Sequence, residues 1–291
     1  MFHKRAFLIL IMLTMLGFYC IGASLYLSEY GLTTSFYQIS SDKISGSIRI
    51  VLLSDLHDSE FGEDNEQLVE EVKAQSPDLI LIAGDLVDSE KESTDVETGL
   101  ISDLSEICPV YVSYGNQEYE HESLYGSDLT ALYEAAGAVV LEKEYVDLEI
   151  RGQRLRLGGI YGYCLPEMYL ASGEADPGEC MFLSEFQDTE AYTILMCHMP
   201  VCWILNDGLD EWSVDCVMSG HVHGGQMILP FVGGLYGPDF GWFPGRLEGL
   251  FYSSDEEKVL VLTRGLGSTE SVPRFNNVPE IVVTDIGAVG Q

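Results

Sequence analysis

Two histidines, His221 and His223, lie one residue apart between glycines, directly after the largely apolar run Val214–Met218. In extended backbone, side chains at i and i+2 leave on the same face. Two imidazoles placed so at a strand end could pinch one metal ion or reach two neighbouring ones. The flanking glycines let the backbone turn sharply and approach a ligand closely. The chain holds six histidines in all, so a pair within three positions stands out from a polar loop of ordinary composition. Five other side chains sit just beyond short apolar runs: Asp55, His57, Asp85, Asn116 and His198. Each has a plain explanation as a turn or packed-loop residue. Together they collect acids and histidines at one kind of position, which turn chemistry does not predict. Seven ligands are too many for one tetrahedral zinc site. They suit two adjacent cations about 3.5–4 Å apart, bridged by a shared carboxylate, for which Asp85 is the natural choice. A water on such ions drops in pKa from about 15.7 towards about 7, and the ion pair can clamp a phosphoryl group during in-line displacement. Mixed imidazole and carboxylate donors favour manganese, iron, zinc or cobalt over calcium.

The elements that must position these groups follow from periodicity. Residues 48–53 read as a strand, 65–75 as an amphipathic helix ended by Ser76-Pro77, and 78–83 as a buried strand. A weakly periodic helix over 96–107 leads to a strand over 109–114, and 124–136 reads as a helix. This alternation predicts a layered α/β fold with polar residues at strand C-termini. Residues 138–160 suggest short antiparallel strands, and 181–186 a short helix. Residues 192–197, 214–218, 259–263 and 281–283 suggest further strands. The Gly- and aromatic-rich stretch 233–245 reads as a loop. Phe231, Phe240, Trp242 and Phe243 would either pack it onto the core, the plainer expectation, or form an apolar wall suited to a lipid-linked phosphoester.

The 291 residues suffice for one catalytic domain. A formal net charge of −33, from 47 acidic against 14 basic residues, repels phosphate backbones, so no nucleic-acid partner is expected. Seven cysteines show no CxxC pair; Cys164 and Cys180 could join in a disulfide outside the cytoplasm. Lys4 and Arg5 precede the uncharged run 6–27, about 33 Å long as a helix and enough to span a bilayer. Residues 1–30 are therefore expected to be a membrane anchor, with a cleaved signal as the other possibility. The basic pair should stay in the cytoplasm and send the rest, as a single-pass protein, to the far side. Residues 31–47 are expected as a linker and 48–291 as the catalytic domain.

Asp55-x-His57, Gly84-Asp85, Gly115-Asn116, His198 and Gly220-His221-x-His223 resemble, in order, the five signature blocks of the calcineurin-like metallophosphoesterases. His223-Gly224-Gly225-Gln226, Arg264-Gly265-Leu266-Gly267 and 274–281 further resemble the bacterial branch with a single N-terminal membrane anchor. The resemblance implies a four-layer α/β/β/α sandwich around a βαβαβ core, and two divalent metal ions. It implies that Asp55, His57, Asp85 and His223 hold the first ion, and Asp85, Asn116, His198 and His221 the second. Asn116, Gln117 and His198 are the catalytic candidates. One block departs from the pattern: the family usually reads Gly-Asn-His-Asp/Glu, and here it reads Gly115-Asn116-Gln117-Glu118. Gln117 cannot donate a proton as histidinium does, and loss of a general acid typically costs about 10²–10⁴ in rate. The expected function is thus hydrolysis of a phosphate monoester, diester or pyrophosphate. The alternatives are a good leaving group that needs no acid, His121 standing in, or a metal- and phosphate-binding protein with weak turnover.

Overall fold

The computed structural model describes residues 2–268 and 272–289. Helix α1 (Phe2–Tyr30) leads into β1 (Thr33–Ser41) and β2 (Ser47–Leu53). Then come α2 (Glu66–Ala74), β3 (Leu79–Ala83), α3 (Asp95–Ser105), β4 (Val110–Ser113), α4 (Asn116–Tyr125), α5 (Leu129–Ala135) and β5 (Val139–Val140). The second half runs β6 (Glu144–Ile150), β7 (Gln153–Ile160), α6 (Pro177–Phe186), β8 (Tyr192–Cys197), α7 (Val201–Leu205), α8 (Gly208–Glu211) and β9 (Cys216–Ser219). It closes with β10 (Ile228–Leu229), β11 (Gly233–Gly237), β12 (Gly241–Gly245), β13 (Gly249–Tyr252), β14 (Val259–Leu262) and β15 (Glu280–Ala288).

Two six-stranded sheets form the centre, ordered β1-β15-β2-β3-β4-β5 and β13-β14-β9-β8-β7-β6. Strand β2 explains how. Val51 and Leu53 pack outward under α2, α3 and α5, while Ile48, Ile50 and Leu52 pack inward against the other sheet. A strand covered on both faces reads as one apolar run and not as an alternation. In the second sheet Leu195, Val217, Leu260 and Leu262 face α6, α7 and α8. The result is helices, sheet, sheet, helices: the expected four layers. β2, β3 and β4 are parallel to one another, as are β7, β8, β9 and β14. Their carboxyl ends therefore point the same way within each sheet, and five of them carry the candidate site residues.

Some expectations change. Residues 31–47, expected as a linker, hold β1, which pairs in parallel with β15 from Thr33↔Glu280 to Ser41↔Ala288, and Ile44 is buried in the inter-sheet core. The Ser/Thr-rich composition of β1 reflects a half-exposed edge strand, not a flexible segment. The single helix expected over 124–136 is two, broken where Gly126 takes φ +69°. The loop expected over 233–245 is the hairpin β11–β12. Cys164 and Cys180 do not face each other: Cys164 Sγ lies 3.5 Å from Cys197 Sγ, and the thiol of Cys180 meets the Leu165 carbonyl.

Among the described residues, α3 buries an acid that the core does not otherwise account for. Glu97 is fully buried with neither carboxyl oxygen hydrogen-bonded. Burial first, and then the neighbouring Asp58, push its pKa up to about 10. The folded chain keeps this proton where the unfolded chain releases it. Stability therefore falls by up to about 1.4 kcal/mol per unit as pH rises from the ordinary carboxyl range towards the folded value. Glu97→Gln removes the loss. Its Tm is expected to exceed that of the parent at about pH 9 and to approach it at about pH 4.5; parallel Tm profiles across that range would refute the assignment.

Candidate metal centre

Each candidate is delivered by a strand end. Asp55 and His57 follow β2, Asp85 follows β3, Asn116 opens α4 after β4, His198 follows β8, and His221 and His223 follow β9. The backbone there is strained: Asp55 (φ 56°), His57 (47°), Asp85 (54°), His221 (71°) and His223 (46°) all occupy the left-handed region. Non-glycine residues rarely do so, at about 1–3 kcal/mol each, and such residues cluster at functional sites. This corrects the extended-strand reading of the two histidines. Because 221–223 is a tight turn, their rings diverge to two different clusters.

The first cluster is Asp55, His57 and His223; the second is Asp85, His198 and His221, each set offering ligand atoms within 4.8 Å of one another. His223 Nε2 lies 3.6 Å from Asp55 Oδ1. His198 Nε2 lies 3.2 Å from Asp85 Oδ2 and 3.2 Å from His221 Nδ1. Asp85 Oδ2 is also 3.8 Å from His57 Nε2, so one oxygen stands between the clusters. Two atoms each about 2.1 Å from a common ion are about 3–3.5 Å apart, close to these spacings. His57 Nε2, Asn116 Oδ1 and His221 Nε2 are buried without hydrogen-bond partners. Buried polar atoms are rarely left so; a cation is the partner that the lone pairs of His57 Nε2 and Asn116 Oδ1 call for, whereas His221 Nε2 faces Asp239 Oδ2 at 3.6 Å.

Hydrogen bonds orient the set. His198 Nδ1–H donates to the Ala83 carbonyl at 2.7 Å, which aims Nε2 at Asp85 Oδ2. The Gln117 N–H donates to Asp85 Oδ1 at 2.9 Å, and the His221 N–H to the Asp55 carboxylate at 3.0 Å. Burial disfavours charge on His198, but Asp85 and then Asp55 push its pKa up to about 10. A proton held between His198 and Asp85 is the kind that a cation displaces on binding. Burial also opposes the charge on Asp55, yet His223 and His198 hold its pKa below the usual carboxylate range. Burial pushes His223 down to about 3, against the pull of Asp55. Gly220 is required by close approach: a Cβ there would collide with Ser54 Oγ and the Asp55 carboxylate.

Sequence reasoning gave no role to three supporting groups. Glu118 is fully buried and accepts from the N–H groups of Gly115 (2.7 Å), Asp85 (2.9 Å) and Leu86 (2.8 Å), so it clamps the second and third blocks together. Burial and then Asp85 push its pKa up to about 7. The buried guanidinium of Arg274 donates to the Gly267 and Arg264 carbonyls at 2.8 and 2.7 Å and lies 3.2 Å from His223 Nδ1. Asp239, on the hairpin, lies 3.6 Å from His221 Nε2. Glu118 and Arg274 stand in blocks visible in the sequence; Asp239 lies in a loop-like stretch with no signal. His121 does not reach the site: it is buried in α4 with Nδ1 2.8 Å from Ser127 Oγ. A cavity of about 370 Å³ opens over the centre, lined by Asp85, Asn116, Gln117, His221 and His223 and by Leu235, Tyr236, Trp242 and Val272.

Residues 48–225 match the family model described as calcineurin-like phosphoesterase. The metallophosphoesterase YkuE of Bacillus subtilis is 27% identical, over 90% of this chain and 88% of its own length. Among solved structures, a 5'-nucleotidase precursor from Thermus thermophilus aligns with TM-score 0.49 and 12% identity, over 83% of this chain and 54% of that one. A dimetal phosphatase from Danio rerio aligns with TM-score 0.44 and 14% identity, over 76% of this chain and 88% of that one.

Proposed function

Because this chain belongs to the calcineurin-like phosphoesterases, metal-dependent hydrolases of phosphoric esters, we propose that it cleaves a phosphate monoester, diester or pyrophosphate at a two-metal centre. The observation that carries this reading is the single oxygen, Asp85 Oδ2, set between His57 Nε2 and His198 Nε2. In this assignment Asp55, His57, Asp85 and His223 hold one ion, and Asp85, Asn116, His198 and His221 the other. When bound, manganese, iron, zinc or cobalt would supply a nucleophile at neutral pH and neutralise charge on the phosphoryl oxygens. The chain's own contribution is rigidity. The Ala83 carbonyl fixes the His198 tautomer, the Gln117 N–H fixes Asp85, and the left-handed turn at 221–223 divides two adjacent histidines between two ions. Asn116 and Gln117, at the N-terminus of α4, face the cavity where the phosphoryl group would sit. Gln117 favours one other reading, a metal- and phosphate-binding protein with little turnover.

Helix α1 contains a run, Phe7–Tyr30, long and apolar enough to cross a membrane. We propose that it anchors the protein by a single pass, with Lys4 and Arg5 in the cytoplasm and the catalytic domain outside. Tyr26 and Tyr30 then sit at the interface.

Chelation separates the two functional readings. Protein dialysed against EDTA is expected to lose hydrolysis of p-nitrophenyl phosphate and its bis ester, and added manganese to restore it. No turnover with manganese, iron, zinc or cobalt, while about two ions per chain are bound, would establish the binding role instead.

A further inference from the structure

The rim of the cavity continues into a patch unlike the rest of the surface. Residues 226–245 contain one acid, Asp239, and no base, in a chain with 47 acids. They form the small sheet β10-β11-β12. Phe231 is fully exposed, Trp242 is 68% and Phe243 58% exposed, and Val232 is exposed beside them. The expectation that these aromatics pack onto the core is met by Phe240 alone among the four. Tyr236 and Trp242 also line the cavity, and their rings continue to Phe243 (centroids 5.2 Å and 6.3 Å apart in turn), so the exposed aromatic surface of the hairpin reaches the cavity rim. A contiguous exposed apolar patch marks an interaction site.

The partner is identified by what the hairpin is tied to. Ile228 N–H donates to the Phe275 carbonyl (3.0 Å), and the Asn276 side chain donates back to the Ile228 carbonyl (3.1 Å). Asn276 N–H donates to Ser24 Oγ (2.9 Å) and Asn277 N–H to Ser28 Oγ (3.1 Å), both on α1. The base of the hairpin is thus fixed at the level of Ser24, six residues before the end of α1 at Tyr30. At about 1.5 Å per residue that is roughly 9 Å inside the helix end. The 24-residue run Phe7–Tyr30 extends about 36 Å against a hydrocarbon core of about 30 Å, so Ser24 stands roughly 3–6 Å inside the outer edge of that core, just below the interface. The acid-coated remainder of the surface is repelled by anionic lipid; the hairpin lacks that coat. We infer that the β10–β12 hairpin is a second membrane contact, set in the interface of the bilayer that α1 spans. Its cavity opens onto that surface and takes phosphoesters whose chains stay in the lipid. The substrate part of this inference rests on the phosphoesterase reading; the contact rests instead on the proposed membrane span of α1.

The chain has three tryptophans, none in α1, and Trp203 and Trp212 are buried in the core. Quenching by lipid therefore reports on Trp242. With the full chain in phosphatidylcholine vesicles, replacing the lipid by its dibrominated form is expected to cut the Trp242 emission, taken as the difference from Trp242→Phe, at least about twofold. Equal Trp242 emission in the two lipids overturns the contact. Phosphatidate in those vesicles is expected to inhibit p-nitrophenyl phosphate hydrolysis at about tenfold lower total concentration than soluble glycerol phosphate, because the surface concentrates it at the cavity mouth. In Phe231→Ser/Phe243→Ser, whose residues lie outside the cavity, that advantage is expected to vanish while p-nitrophenyl phosphate turnover is unchanged. Equal inhibition by the two phosphates in the parent protein overturns the substrate part. An absence of p-nitrophenyl phosphate turnover would instead sink the phosphoesterase reading, and quenching would still decide the contact.

Discussion

Asp85→Asn is expected to lower kcat/KM for p-nitrophenyl phosphate about 10³-fold, equivalent to roughly 4 kcal/mol of transition-state stabilisation. It is also expected to reduce bound manganese from about two ions per chain to less than one. The reason is the position of one atom. Asp85 Oδ2 faces His57 on one side and His198 on the other, so in the proposed centre its negative charge is the one that both ions would share. An amide keeps the size and can still accept from the Gln117 N–H through its oxygen, but it offers no charge to offset the repulsion of two cations. Asp55→Asn makes the contrast, because Asp55 belongs to one cluster only; that variant is expected to retain about one ion per chain. Metal content by mass spectrometry, measured beside the kinetics, distinguishes the two. If Asp85→Asn kept both ions and lost less than about tenfold in rate, Asp85 would not be the bridge.

The layered fold was legible because its strands are short, doubly covered and apolar throughout. Runs such as Leu79–Ala83 and Tyr192–Cys197 admit little else once helices of fitting length separate them. The candidate site positions were legible for a related reason: a polar residue directly after a buried strand has left the core and faces whatever lies at the sheet's end. Three things were hidden. β1 is held by backbone pairing to β15, some 245 residues away, and a half-exposed edge strand of Ser and Thr has no apolar signature. The division of His221 and His223 depends on φ angles that non-glycine residues rarely adopt, so i, i+2 spacing suggested one shared face where the chain makes a turn. Glu118 was visible only as the last residue of the third block, without a role; its three N–H partners come from two loops that only the folded sheet brings together.

Gln117→His is expected to raise kcat about 10²-fold for alkyl and phenyl phosphates, whose leaving groups need a proton, while p-nitrophenyl phosphate changes little. Gln117 is the second residue of α4 and lines the cavity next to Asp85 and His221. Its side-chain oxygen accepts from the Ser89 N–H at 2.9 Å, so the amide serves the loop after β3 and has no ionisable proton to lend. His121 is buried against Ser127, so among the histidines of the described domain none outside the two clusters can take over. On the proposed phosphoesterase reading, the natural protein would be suited to esters whose leaving group departs as a stable anion, such as aryl esters or pyrophosphates. A histidine at 117 should flatten the dependence of rate on leaving-group pKa. The substitution frees the Ser89 N–H, at a cost of about 1 kcal/mol in stability that a thermal melt would register. The slope and the melt answer separate questions. A variant that melts slightly lower yet gains most on the poorest leaving groups identifies proton donation as what Gln117 lacks. Equal acceleration of every ester would mean that the residue limits something other than protonation, such as the geometry of Asp85 through its neighbouring N–H.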